Sequence, residues 1–498
     1  LRYASGAGRW VVAATVLGSG MAGFDATVVG IALPSIHRSF HASLGSLQWV
    51  INGYSLTLAA FILLGGSLGD QRGRRRVFSW GVVWFAVASA ICGFAPSSGL
   101  LIAARVVQGV GGALLTPASL AILQASFRPG DRGQAIGAWS GLGGVAAAAG
   151  PLIGGYLIAA ASWRWVFFIN LPVAALVLAV TARHVPESSD PTAVRGVDVR
   201  GVALGVLFLA GLTYALIDGP GGGWGKPLVI VALVASLLAG PGFVLTEKRV
   251  HNPTLPLGIF SSRQFSAANA VTFVMYGALG STFFLLPVEL QVVAGYSPLE
   301  SGVSLLPLTV IMLLFSARSG RLAARIGPRL QMSVGPVVTG VGLALFMFAT
   351  HSGSYLVEVL PALLVFSVGL AITVAPLTAT ALGAAPTDHA GMASAVNNVV
   401  ARAAGLIAVA VLPALAGLTG GAALQPHTFA AGFHTAVLIA GGITVAAGAL
   451  AAVTISDPRR QHRKTTVLGP LFCALDSPPK PAHQGPAAAG GAGEAKTC

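Results

Sequence analysis

Asp25 is the only charged residue in the run Trp10–Leu33, and a run of about 20 apolar residues is enough to cross a bilayer. A carboxylate inside such a segment costs about 2.5 kcal/mol or more on the insertion scale, so its default chemistry is that of a proton or ion site, or of a counter-ion. A second apolar run, 99–124, carries Arg105 and, one turn on, Gln108. At about 1.5 Å per helical residue, Asp25 lies about 12 Å from the end of its run and Arg105 about 9 Å into its own. Matched depths predict an ion pair in which a proton or a cationic solute competes with Arg105 for the carboxylate, with Gln108 bonding either partner. The alternative is a static pair that fixes helix packing. Glu289 and Gln291, in Leu-Pro-Val-Glu-Leu-Gln291, stand near the end of a later run. Glu289 reads equally as a second proton site or as a carboxylate wetted by a vestibule. Arg402, near the middle of 391–417, either lines a solute cavity together with Gln291 and Asn398 or neutralises a helix end. Cys92, Cys473 and Cys498 have neither metal nor disulfide spacing. No metal site is expected.

The elements that hold these groups must be membrane helices. Of 498 residues 55% are hydrophobic and 9% charged, against about 25% charged in an average soluble domain. Mean hydropathy is +0.80. About fourteen spans are expected, with limits near 10–33, 47–69, 77–95, 99–124, 133–160, 163–182, 199–218, 226–246, 266–293, 301–323, 328–349, 355–381, 391–417 and 430–454. The runs lack the period-2 alternation of a membrane barrel. The first is too long for a signal-peptide core and has no convincing cleavage site, so it counts as a span.

The net charge of +14 follows topology rather than nucleic acid. With the N-terminus inside, every Lys and Arg except Arg38, Arg105, Arg164, Lys226 and Arg402 falls in inner loops or tails, as the positive-inside rule requires. Both termini are therefore expected in the cytoplasm, with the chain multi-pass in the inner membrane. Residues 455–498 read as a disordered cytoplasmic tail, rich in Pro, Ala and Gly. The basic cluster Arg459, Arg460, Arg463 and Lys464 within it reads as a stop-transfer signal.

One loop recurs. Gly66-Ser-Leu-Gly-Asp-Gln-Arg-Gly-Arg-Arg75 aligns with Gly320-Arg-Leu-Ala-Ala-Arg-Ile-Gly-Pro-Arg329, sharing Gly66/Gly320, Leu68/Leu322, Gly73/Gly327 and Arg75/Arg329. The second copy comes eight spans after the first, so two six-helix halves, 10–182 and 266–454, flank a segment 183–265 holding two inserted helices at 199–246. Parallel repeats with a site between them are a transporter architecture. Gly66 and Gly69 are expected to let helix ends approach closely, Gly73 to permit the tight turn, and Asp70 to meet a helix end or pair with Arg74. In the fifth span Gly137, Gly141, Gly143, Gly144, Gly150, Gly154 and Gly155 suggest one thin, closely packed helix that Pro151 bends.

At these residues the chain resembles the major facilitator superfamily. Gly66 to Phe78 looks like its loop motif G-x-L-(A/G)-D-R-x-G-R-(R/K). Asp25-Ala-Thr-Val-Val-Gly-Ile-Ala-Leu-Pro34 resembles the first-helix motif of the fourteen-helix drug:proton antiporter branch. Arg105-Val-Val-Gln-Gly-Val-Gly111 is similar to the fourth-helix motif, Gly150-Pro-Leu-Ile-Gly-Gly155 to the antiporter motif of the fifth helix, and Asn397-Asn-Val-Val-Ala-Arg402 to a later one. The likeness departs at Gln71, followed by Arg72, at Ala146 where Gly is usual, and at Ala324 in place of the loop aspartate. The resemblance implies an all-α integral membrane protein with the major facilitator fold. It also implies that Gly66, Gly69, Asp70, Arg72, Gly73 and Arg74 latch the halves on the cytoplasmic side, and that Gly150, Pro151, Gly154 and Gly155 form a hinge. The expected function is proton-coupled efflux of hydrophobic or amphipathic compounds by a monomer, using the proton gradient and no cofactor. A proton symporter or facilitator for a nutrient is the nearest rival. A membrane enzyme would need clustered catalytic residues and a sensor a soluble output domain, and neither is apparent. The chain has no G-x-x-x-x-G-K-(S/T) nucleotide loop.

Overall fold

Among the described residues, fourteen helices are each long and apolar enough to cross a membrane. The structure, a computed structural model, describes residues 1–190, 198–250, 253, 255–349, 354–384 and 390–457. The expected tail and its basic cluster lie outside the described residues from 458 on, as does part of the expected linker. In chain order the first half holds α1 (Gly6–Phe40), α2 (Leu44–Arg72), α3 (Arg74–Phe94), α4 (Ser98–Ser126), α5 (Pro129–Ala160) and α6 (Trp165–His184). Then come α7 (Val199–Asp218) and α8 (Pro227–Arg249). The second half holds α9 (Arg263–Val293), α10 (Pro298–Ile326), α11 (Pro328–Phe348), α12 (Tyr355–Gly383), α13 (Ala390–Leu415) and α14 (Pro426–Thr454).

Short serine-capped turns start many of these helices. Ser43 accepts from the Ser46 amide, Ser97 from Leu100, and Ser297 forms a full capping box with Glu300. The first apolar run ends at Leu33, but α1 continues through Pro34 to Phe40 and stops at His41 in the left-handed region. Apolar character ends before the helix does, because a helix needs no lipid once its last turns pack on neighbours.

Packing repeats with the sequence. In the first half α4 packs on α2 and α3, and α1 on α5; in the second, α12 packs on α10 and α11, and α9 on α13. Residues Leu1–Asp457 form one compact unit. The inserted helices pack on each other, and α7 also touches α2 and α13, one helix from each half. Asp218, which reads as an ordinary loop acid in the sequence, accepts from the Trp49 indole at 3.1 Å and ties α7 to α2. Gly6, the arginine-rich turns after α2 and α10, and the start of α9 share one face, called here the basic face; Phe40, Leu44 and Val293 mark the opposite face.

Candidate functional site

Asp25, Arg105 and Gln108 meet in the interior of the first half, at most 1% exposed. Arg105 Nη1 donates to Asp25 Oδ2 in a short ion pair and to Gln108 Oε1 at 2.7 Å, while Gln108 Nε2 donates to Asp25 Oδ1 at 3.0 Å. Arg105 Nε is satisfied by the Val50 carbonyl at 3.1 Å, and the Cys92 thiol reaches Gln108 Oε1 at 3.6 Å. Below the guanidinium lies the Tyr54 ring, 4.4 Å away, whose hydroxyl donates to Ala22 O at 3.2 Å. A buried ion pair holds only when its remaining hydrogen-bonding capacity is filled, and both carboxylate oxygens have a donor here. The expected pair therefore forms. Because α1 continues to Phe40, Asp25 is about 22 Å from the helix end at about 1.5 Å per residue, against about 10 Å for Arg105. The extra turns lie past the apolar run, so they leave the level of Asp25 unchanged.

Helix α5 is fastened to α1 at this level. Pro151 has no amide hydrogen to give the carbonyl four residues earlier, and Thr27 of α1 donates to that Ala147 carbonyl at 2.8 Å. A methyl on Gly150 would collide with Thr27 Oγ1 and one on Gly154 with Val28, while on Gly155 it would lie 2.5 Å from the Pro298 carbonyl of α10. The expectation of a uniformly close-packed helix is corrected: a methyl on Gly137, Gly141, Gly143 or Gly144 would meet nothing within 4 Å. Only the end near the opposite face is tight. At Ala146, the departure from the family pattern, Gly20 of α1 supplies the missing space, with a methyl there 3.2 Å from Ala146 Cβ.

The loop after α2 is held by acids. Asp70 Oδ1 accepts from Arg74 Nε at 2.9 Å and Nη2 at 2.7 Å, as expected of the pair. Gly73 has φ +104 and faces the carboxylate of Glu187. Glu187 in turn accepts from the Arg75 and Arg76 amides at 3.0 and 3.2 Å, an anion on the positive end of α3. The second copy repeats this device: Gly327 has φ +92, and Asp457 accepts from the Arg329 amide at 3.0 Å. Sequence reasoning misses Glu187 and Asp457, although extending the repeat alignment past each sixth helix would find both. Gly69 has open space around it and Gly66 only an ordinary contact with Pro117; the close approach is made by Gly65, against the Ala113 carbonyl that Pro117 leaves unbonded. Arg72 is exposed and apart from the network.

Hydrogen bonds between the halves gather toward the opposite face. Gln48 of α2 donates to Val409 O of α13 at 2.7 Å, the carbonyl that Pro413 frees, and Asn52 donates to Leu406 O at 3.2 Å. Gln291, expected to line a cavity, instead donates to Ile31 O of α1 at 3.0 Å. It is a seam contact, since the last turn of α9 lies against α1. Glu289 sits in that turn, 2% exposed, and its Oε2 has no hydrogen-bond partner, so the vestibule-wetted alternative does not describe it. Arg402 is in mid-helix, which removes the helix-end reading, and its Nε is buried without a partner. Asn398, one turn nearer the basic face, is exposed and donates to Ser394 O. A recess of about 510 Å³ lined by Val83, Val87, Ile91, Phe94 and Leu171 is apolar and lies away from Asp25; it carries no chemistry.

Comparison with known proteins agrees with this architecture. The family model described as Major Facilitator Superfamily matches residues 15–410. The multidrug resistance protein Stp of Mycobacterium tuberculosis is 36% identical over 415 residues, covering 83% of this chain and 77% of that protein. The tetracenomycin C resistance and export protein of Streptomyces glaucescens is 37% identical over 406 residues, covering 81% and 74%. Among solved structures, a bacterial homologue of the lysosomal transporter Spinster, in an inward-facing and occupied conformation, aligns with a TM-score of 0.64 at 17% identity, covering 89% of this chain and 96% of that one. The xylose transporter XylE from E. coli aligns with a TM-score of 0.61 at 14% identity, covering 91% and 97%. At such identities these two speak for the fold alone. A repeated six-helix bundle, matched by one family model over most of its length, leads to a single conclusion: the chain is a membrane transporter of the Major Facilitator Superfamily, not an enzyme.

Proposed function

We propose that this transporter exports amphipathic, drug-like compounds across the cytoplasmic membrane by alternating access, in exchange for protons that pass through Asp25. The observation that carries the reading is the buried Asp25–Arg105–Gln108 cluster, a carboxylate whose charge is balanced only by its arginine and which becomes neutral only by taking a proton. Relatives named for multidrug resistance and for tetracenomycin C resistance and export support the solute class and the direction. The basic face is read as cytoplasmic, with both termini on it.

In this reading the seam through Gln48, Asn52 and Gln291 closes the outer side, so the described state opens inward. Release of the proton lets Arg105 hold Asp25 and keep α1, α2 and α4 together. Protonation loosens that pair, and α1 moves with α5 because Thr27, Gly150 and Gly154 fasten them. Gly66, Gly69, Asp70, Arg72, Gly73 and Arg74 belong to the latch that closes the cytoplasmic side in the other half of the cycle. Gly150, Pro151, Gly154 and Gly155 act as the hinge, and Glu289 is a second proton site near the outer seam.

Uptake of a fluorescent amphipathic dye into everted vesicles, whose cytoplasmic face is turned outward, driven by an imposed pH gradient, tests the proposal. Asp25→Asn should stop gradient-driven export at unchanged protein level; undiminished pumping would sink it. A nutrient symporter would instead accumulate its solute on the opposite side of the same vesicles.

A further inference from the structure

The second half contains a cation that the transport cycle leaves unexplained. Arg402 makes no ion pair and no hydrogen bond among the described residues, and its Nε is buried with nothing to donate to. None of the ion pairs among the described residues includes it. Intramembrane arginines pair with carboxylates or carbonyls, or mark the path of a solute. Asp25 is already engaged by Arg105 and Gln108, and Glu289 lies in the last turn of α9, toward the opposite face. Within α13, Asn398 shares the face of Arg402, one turn toward the basic side, and is exposed. That face is therefore open on the side from which an exported solute would enter. Asn52, two residues before Tyr54 on α2, donates to Leu406 O, one turn past Arg402 on α13, so the free guanidinium lies beside the first half's proton site across the boundary between the halves.

We infer that Arg402 anchors an acidic group of the transported compound, and that the substrates of this transporter are amphipathic organic acids bound as their anions. The inference rests on the efflux reading and narrows its solute class. A planar guanidinium with free donors suits a carboxylate or phenolate oxygen, which accepts charge-assisted hydrogen bonds. Tyr276 of α9, half-buried and with its carbonyl beside Gly405 of α13, offers aromatic surface for the apolar body. With substrate bound and Asp25 ionised, the carboxylate and the substrate anion balance the two guanidiniums, so the loaded site crosses the membrane uncharged. The empty, protonated site keeps its positive charge, and a negative-inside potential draws it back.

The test is binding to the purified full-length protein in detergent, which needs no gradient and so stands or falls separately from the efflux reading. Two probes share an apolar body and differ in charge: pyrenebutyrate and pyrenebutylammonium. Pyrenebutyrate should bind the wild type roughly tenfold or more tightly than it binds Arg402→Gln, the range of a lost charge-assisted hydrogen bond. The ammonium probe should bind Arg402→Gln at least as well as the wild type, and Arg402→Lys should keep part of the preference for the anion. The thermal unfolding midpoint of Arg402→Gln should not fall, since the guanidinium has no protein partner to lose; a structural arginine would lower it. Equal affinity of wild type and Arg402→Gln for pyrenebutyrate, an equal loss of both probes, or a wild-type preference for the ammonium probe would overturn the inference. Binding as expected in a protein whose vesicles move no dye would count against efflux and leave the anion site in place.

Discussion

The two halves of the molecule handle their buried charge in opposite ways. In the first, Asp25, Arg105 and Gln108 satisfy one another, with the Val50 carbonyl and the Tyr54 ring completing the set. In the second, Arg402 Nε and Glu289 Oε2 are both buried and both lack a partner. Yet the backbones pair alike, and Gly73 with Glu187 is repeated as Gly327 with Asp457. Duplication has kept the turns and the packing while the polar interior has diverged. A turn at positive φ tolerates few residues, whereas a polar side chain in the interior is retained only for its chemistry. The contrast assigns internal pairing to the first half and open valences to the second.

The sharpest way to break that contrast is to remove one arginine from each half. Arg105→Ala strands a buried carboxylate and should cost roughly 3–5 kcal/mol, read as a large fall in the unfolding midpoint, while Arg402→Gln should cost little. Arg105→Lys should be milder but still damaging, as lysine lacks the planar fork that serves Asp25, Gln108 and Val50 together. Equal unfolding midpoints for Arg105→Ala and Arg402→Gln would mean that the two halves do not differ in this way.

A smaller effect separates the two ends of α5. Gly150→Val drives a side chain into Thr27 and should cost about 1–3 kcal/mol of overpacking, with a matching drop in transport. Gly143→Ala meets nothing within 4 Å and should be neutral in both stability and transport. If both variants behave alike, the hinge is not localised where α5 meets α1.

The smallest expected effects concern the two seals. Gln48→Ala leaves Val409 O without its donor and should weaken the outer seam by about 1 kcal/mol. Asp70→Asn removes the Arg74 pair and should weaken the latch on the basic face. Accessibility labelling of engineered cysteines should then shift toward outward-open for Gln48→Ala and away from it for Asp70→Asn. Shifts in the same direction would show that these residues do not act on opposite gates.

Much of this was legible in the sequence because the signals were local or repeated. Fourteen apolar runs, the spaced loop motif and the lone Asp25 needed no knowledge of neighbours. The Asp25–Arg105 pair was reachable because depth in a membrane is nearly a sequence coordinate. What escaped was rotation and contact across helices. Nothing in the chain tells that Gly65 rather than Gly69 faces a neighbouring carbonyl, that Gln291 turns to α1, or that Tyr54 lies under Arg105. The carbonyls freed by Pro151 and Pro413 were predictable from proline chemistry, but Thr27 and Gln48 as their donors were not.

Export as proposed depends on Asp25 carrying the driving proton, and one measurement meets that claim most directly. Purified protein is reconstituted into liposomes containing a pH-sensitive dye, and proton movement is followed as the transported compound is added on the basic side. Wild type should couple solute movement to an opposing proton flux. Asp25→Asn should still exchange labelled for unlabelled compound across the membrane but move no protons with it. A proton flux in Asp25→Asn equal to that of the wild type would contradict the account.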